Sequence, residues 1–155
     1  MNYTAEDELL IQEKYEDLML ICEKICKSNS DRDFIKKAFF LAKEAHKGVR
    51  RRSGEPYLLH PIAVAKIAVE EIGLGVKSVV AALLHDVVED TEYTVEDITN
   101  MFGQKIATMV DGLTKMSGVF NTETSEQAEN FRKILLTLSD DVRVILIKIA
   151  DRLHN

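Results

Sequence analysis

Between Val76 and Val88 the chain reads VKSVVAALLHDVV, an almost wholly apolar run with a His–Asp pair near its end. Its length and the Ala81-Ala82-Leu83-Leu84 centre predict a helix buried nearly all round; its many valines make a buried strand the competing form. Moving an ionised carboxylate from water into such surroundings costs several kcal/mol unless something compensates it. Asp86 therefore needs a metal ion, a buried ion pair or a helix end near solvent. Residues four apart on a helix differ by roughly 40° in direction. Glu89 then lies near His85 and Asp90 near Asp86, so four ionisable groups share one wall.

The end of the chain repeats the device. VRVILIKIADRLHN is apolar until Asp151, and Asn155 follows four positions later on the same face. Lys148, three positions before Asp151, offers an ordinary helical ion pair as the alternative partner. A third polar point, His60, stands where a loop meets Pro61. Taken singly, His60 reads as a capping or hydrogen-bonding group, Asp151 as a salt-bridge partner, and His46 and His154 as surface residues. Taken together, His60, His85, Asp86 and Asp151 offer two imidazoles and two carboxylates. That mixture suits a divalent first-row ion with open coordination positions, such as Mn²⁺ or Fe²⁺, with Zn²⁺ also compatible. Spacing alone does not place the four in one site.

The rest of the chain reads as helices. Thr4 and Asp7 resemble a capping box ahead of a helix to about Lys27, with Leu9, Leu18, Cys22 and Ile25 as its apolar stripe. Ser28-Asn29-Ser30 breaks it. A second helix starts near Asp31 or Asp33, carries Phe34, Ala38, Leu41 and Ala45, and stops at Gly48. Val49 to His60 contains Gly54 and Pro56 without periodicity and is a loop. Pro61 suits the first position of a third helix running until Gly73. After the apolar helix, Thr94 and Asp97 form a second capping box for a short helix ending at Gly103, and another helix covers Gln104 to Met116. Ser117 to Thr124 is the candidate mobile loop, followed by helices from Ser125 to Leu138 and from Asp140 onward. The expected fold is an all-α bundle.

Composition narrows the function. A chain of 155 residues, 46% hydrophobic and 30% charged, matches one ordinary globular domain. No apolar run is long enough to span a membrane. The opening MNYTAEDELL lacks the basic-then-apolar layout of a signal peptide, so the cytoplasm is the expected compartment. Cys22 and Cys26 fit neither a disulfide framework nor a zinc knuckle and read as reduced core thiols. A formal net charge of −6 argues against nonspecific binding to nucleic acid. A small phosphorylated ligand needs only one cationic cluster, and Lys47, Arg50, Arg51 and Arg52 supply it, although such a run is more often a solvated surface.

Four blocks carry a family resemblance: RRSGEPYLLHP (Arg51 to Pro61), HDVVEDT (His85 to Thr91), VDGLTK (Val110 to Lys115) and ADRLHN (Ala150 to Asn155). Their order resembles the H…HD…D signature of HD-superfamily phosphohydrolases and, more closely, the hydrolase domain of RelA/SpoT homologues, from about Phe34 to Asn155. The resemblance implies an HD-domain helical bundle over residues 31–155, with residues 1–30 as an N-terminal helix packed on it. It implies one Mn²⁺ ion held by His60, His85, Asp86 and Asp151, and removal of the 3′-pyrophosphate from the guanosine alarmone (p)ppGpp to give GDP or GTP. Glu89 and Asp90 fill the E-D pair that is degenerate in synthetase-only relatives; they would orient water and move protons, with Glu89 the favoured acid/base. Arg51, Arg52 and Ser53 would meet the nucleotide. Many relatives have Lys where Arg52 stands, so its charge is kept and its geometry changed. Asn155 would bind ribose or phosphate, and Tyr57 would stack or support the pocket. Family members run on into a synthetase domain, so this chain is expected to be a shortened piece. Two other functions compete: an HD hydrolase of another phosphorylated nucleotide such as NADPH, and a non-catalytic helical module whose polar core is only structural.

Overall fold

The structure is a computed structural model that describes residues 2–120 and 141–155. Among these residues it is all-α, with seven helices and no sheet: α1 (Ala5–Cys22), α2 (Asn29–Ala45), α3 (Leu59–Glu70), α4 (Val76–Asp90), α5 (Val95–Phe102), α6 (Gln104–Phe120) and α7 (Val142–His154). Helix, not strand, is the outcome for the apolar run.

α4 is the hub, packing against α2, α3, α6 and α7. From Ser78 to Val87 every residue is buried, as an apolar segment with no polar face requires. Ala81 and Ala82 keep the helix thin at its centre, while Val80, Leu83, Leu84 and Val87 fill the surrounding core with Phe39, Ile62, Met109 and Ile147. α1 packs on α3, and α5 covers α6.

Local chemistry sets the helix ends. Thr4 and Thr94 cap α1 and α5, each accepting from the backbone of the Asp three positions on, whose side chain returns the bond. Ser28 caps α2, which therefore begins at Asn29, within the segment expected to be a break. α3 begins two residues before Pro61. The proline remains in the first turn, where its missing N–H deprives the helix of nothing, and His60 becomes a helical residue. Gly103, at φ 96°, ends α5 in a conformation that other residues rarely adopt.

Two expectations are corrected. Leu9 is 74% exposed, and Ile11, Leu18 and Cys22 form the buried face of α1. Ser117 to Phe120 continues α6 instead of opening a loop; Leu113 and Met116 anchor the preceding turn in the core, and Ser or Gly costs a helix under about 1 kcal/mol each. The remainder of that loop, Asn121 to Thr124, and the helix expected from Ser125 to Leu138 lie outside the described residues. Cys22 is a buried free thiol, pushed up to about 12 mainly by burial; Cys26 is half-buried.

Candidate metal centre

Three helices bring the site together. α3 contributes His60 in its first turn, α4 contributes His85 and Asp86 near its C-terminal end, and α7 contributes Asp151. All four are buried, and each offers a ligand atom within 4.8 Å of the others. His60 Nε2 lies 2.6 Å from Asp151 Oδ1, and His85 Nε2 is 3.2 Å from the same oxygen and 3.0 Å from Asp86 Oδ2. Two imidazole nitrogens and two carboxylates thus point at one small volume.

Three of the four are engaged on the side away from the cluster, and Asp86 is held at the oxygen that faces His85. His85 Nδ1 faces the Ala82 carbonyl at 2.6 Å, so it carries a proton and Nε2 is the nitrogen left to face the cluster. Tyr57 donates its hydroxyl to Asp86 Oδ2, and Lys148 donates to Asp151 Oδ2 at 2.8 Å. His60 Nδ1 meets His154 Nδ1 at 2.7 Å. Side chains held from behind in this way present fixed donor atoms forward, the arrangement that metal sites use to orient ligands. The donor set therefore fits a divalent cation, and the cluster is able to coordinate one.

Electrostatics agree. Burial disfavours charge on His85, but Asp86 and Asp151 overcome it and push the imidazolium up to about 10. Burial likewise raises Asp86, yet His85 and the Tyr57 hydroxyl bring it down to about 2. Asp151 is held far below the usual carboxylate range, against burial, by hydrogen bonds from His60, His85 and Lys148. The pocket favours positive charge, as proton or as metal.

A tight hairpin carries the basic residues past this cluster. Arg51 N–H donates to the Glu55 carbonyl and Gly54 N–H to the Arg51 carbonyl, both at 2.9 Å, so Arg52 and Ser53 sit at the tip of a turn that Gly54 closes with φ 92°. Arg50, Arg51, Arg52, Ser53, Glu55, Tyr57 and His154 line an open cleft of about 620 Å³, within the size range of small-molecule sites. Arg50, on the cleft wall, is paired with Asp7 on α1. Arg51 NH2 donates to Asn155 Oδ1 at 2.9 Å, joining two of the expected ligand-binding residues. Glu89 and Asp90 are exposed at the end of α4. Burial, then repulsion from Asp86 and Glu89, raises the Asp90 carboxyl above its ordinary value, so Asp90 feels the cluster.

His46, expected at the surface, is 1% exposed, packed against Tyr57 with ring centroids 5.0 Å apart. The turn at Gly48 folds the chain back and covers it. His154 is exposed as expected but touches both His60 and Arg51. The sequence presents Lys148 as a helical ion-pair partner and His154 as a surface group. The signal available in the sequence was their spacing of three from Asp151, which puts both beside a ligand on one helix.

The HD domain family matches residues 38–155. A GTP pyrophosphokinase of Myxococcus xanthus is 47% identical over 129 residues, 81% of this chain and 17% of that protein. The bifunctional (p)ppGpp synthase/hydrolase SpoT of Escherichia coli K12 is 47% identical over 122 residues, 78% of this chain and 17% of the relative. A guanosine-3′,5′-bis(diphosphate) 3′-pyrophosphohydrolase of Haemophilus influenzae is 50% identical over 116 residues, 74% and 17% of the two chains. The chain thus spans about 17% of the length of these curated relatives. With its all-α fold and its buried two-His, two-Asp cluster, the chain belongs to the HD domain family of metal-dependent phosphohydrolases, among the relatives of RelA/SpoT proteins.

Proposed function

We propose that this domain hydrolyses the 3′-pyrophosphate of (p)ppGpp, with Mn²⁺ at the cluster, in the cytoplasm. The observation that supports this reading most is the adjacency of a buried divalent-cation site to a cleft lined by three arginines. Relatives named for making and for breaking this bond both match, and the pair Glu89-Asp90 favours breaking. His60, His85, Asp86 and Asp151 would hold the ion, which when bound polarises a phosphoryl oxygen and lowers the pKa of water.

The residues of the chain do the rest. Arg51 and Arg52 bind the phosphates, since planar guanidinium matches two phosphoryl oxygens at once, and Ser53 and Asn155 add hydrogen bonds. Tyr57 holds Asp86 and walls the pocket. Glu89 accepts a proton from the attacking water as its oxygen bonds to phosphorus and the bond to the ribose 3′-oxygen breaks. Asp90, with its raised proton affinity, is suited to return a proton to that leaving oxygen. The products are pyrophosphate and GDP from ppGpp, or GTP from pppGpp.

The test is a substrate panel of ppGpp, pppGpp, GTP and NADPH with Mn²⁺. Wild type is expected to release pyrophosphate from the two alarmones; Asp86→Ala removes turnover, and Glu89→Ala lowers it by about 10²-fold or more. Turnover of NADPH alone would replace the substrate. Equal behaviour of wild type and both variants on every substrate would sink the enzymatic reading.

A further inference from the structure

We infer that His154 is a positioning residue for the metal centre: its Nδ1 accepts the Nδ1 proton of His60 and so leaves His60 Nε2 unprotonated toward the ion. The inference rests on reading the cluster as a metal site. One contact and the demand of the ion set the direction of the bond once a cation is bound. The Nδ1 atoms are 2.7 Å apart, with the rings 4.9 Å between centroids and 29° between planes. One of the two nitrogens must carry the hydrogen.

From one side, Arg51 NH1 approaches His154 Nδ1 at 3.4 Å. A guanidinium has only donors, so the nitrogen it faces is the lone-pair side. From the other side, His60 Nε2 points into the cluster at Asp151 Oδ1. Without a cation Nε2 would donate to that carboxylate oxygen; a cation that takes Nε2 displaces this proton, and a neutral imidazole ligating through one nitrogen carries its proton on the other. With the ion on Nε2, both arguments place the hydrogen on His60 Nδ1. His154 then performs for His60 what the Ala82 carbonyl performs for His85.

Arg51 belongs to the same chain of contacts. Its NH1 faces His154 and its NH2 donates to Asn155, so the hairpin that lines the cleft also steadies the residue behind a ligand. The anion cleft and the cation site are thereby joined through one imidazole.

The experiment is Mn²⁺ titration of the full chain, with free ion followed by electron paramagnetic resonance, for wild type, His154→Leu, His154→Gln and Asp86→Ala. Leu keeps bulk and cannot accept; the Gln oxygen can. His154→Leu is expected to weaken Mn²⁺ binding by about 10-fold or more, with His154→Gln close to wild type. Nitrogen-15 spectra of the imidazoles in chain loaded with diamagnetic Zn²⁺ should show His60 as the Nδ1–H tautomer in wild type and His154→Gln, with that preference lost in His154→Leu. Helical circular dichroism of each variant guards against unfolding, and the exposed position of His154 makes the fold tolerant. His154→Leu binding Mn²⁺ like wild type while Asp86→Ala does not would overturn the inference and leave the metal site standing. So would His154→Gln falling as far as His154→Leu. A folded wild type that takes up no Mn²⁺ would defeat the metal reading itself, and this inference with it.

Discussion

His46 shows what a single buried imidazole does to the pH response of the domain. Its Nε2 has no hydrogen-bond partner among the described residues, and burial, opposed by Asp86 and reinforced by His85 and His60, brings its pKa down to about 4. A histidine whose folded pKa lies below its unfolded value of about 6.5 binds more protons when unfolded. Its contribution is therefore complete above pH 6.5 and is lost as pH falls toward 4, on the order of 3 kcal/mol across that window. Urea midpoints at pH 7.5 and 4.5 check this: His46→Leu should lose less stability than wild type over the same drop, and parallel losses would refute it. The surface reading of His46 came from its charged neighbours, which describe the outer face of α2 and not the turn that covers its end. His85 and Asp86 were legible for the opposite reason, because ten consecutive buried positions leave a carboxylate no alternative to a partner. The contact of His154 with Arg51 has no signal along the chain, since it depends on α7 lying beside a hairpin 103 positions away.

Elements whose cues are local were read most closely. Both Thr–Asp capping boxes, at α1 and α5, form as their spacing predicts, because a cap is satisfied within one turn. The face of α1 was harder. Leu9 and Leu18 are nine residues apart, about two and a half turns, and so point to opposite sides; Ile11 is the residue in register with Leu18. What no local cue reveals is that α1, which precedes the family match, braces the cleft. Asp7, besides capping α1, pairs with Arg50, which also donates to the Gly54 carbonyl at 2.8 Å. Tyr3 donates to the Lys43 carbonyl and Glu8 pairs with Lys43, each at 2.7 Å. Asp7→Asn should loosen the hairpin and raise KM for the alarmone severalfold while leaving Mn²⁺ affinity as in wild type. An unchanged KM would show that α1 packs on the bundle without shaping the site.

At the scale of the whole molecule, the cluster is a cross-link between α3, α4 and α7. His60 and Asp151 are 91 positions apart yet 2.6 Å from each other, a meeting that spacing along one chain does not encode and that the order of the family blocks implied. A ligand that binds only the folded arrangement stabilises it by mass action, about 2.7 kcal/mol when present at 100 times its dissociation constant. For a domain of this size each kcal/mol moves the thermal midpoint by roughly 2–4 °C. Saturating Mn²⁺ should therefore raise the midpoint by about 5–10 °C over chain stripped with a chelator. Asp86→Ala removes one of the four clustered side chains, so if they hold the ion its midpoint should no longer respond to Mn²⁺, whatever its starting value. The comparison needs no substrate and separates a metal centre from a polar core that merely satisfies itself. The latter would leave the wild-type midpoint indifferent to Mn²⁺, or move wild type and Asp86→Ala alike.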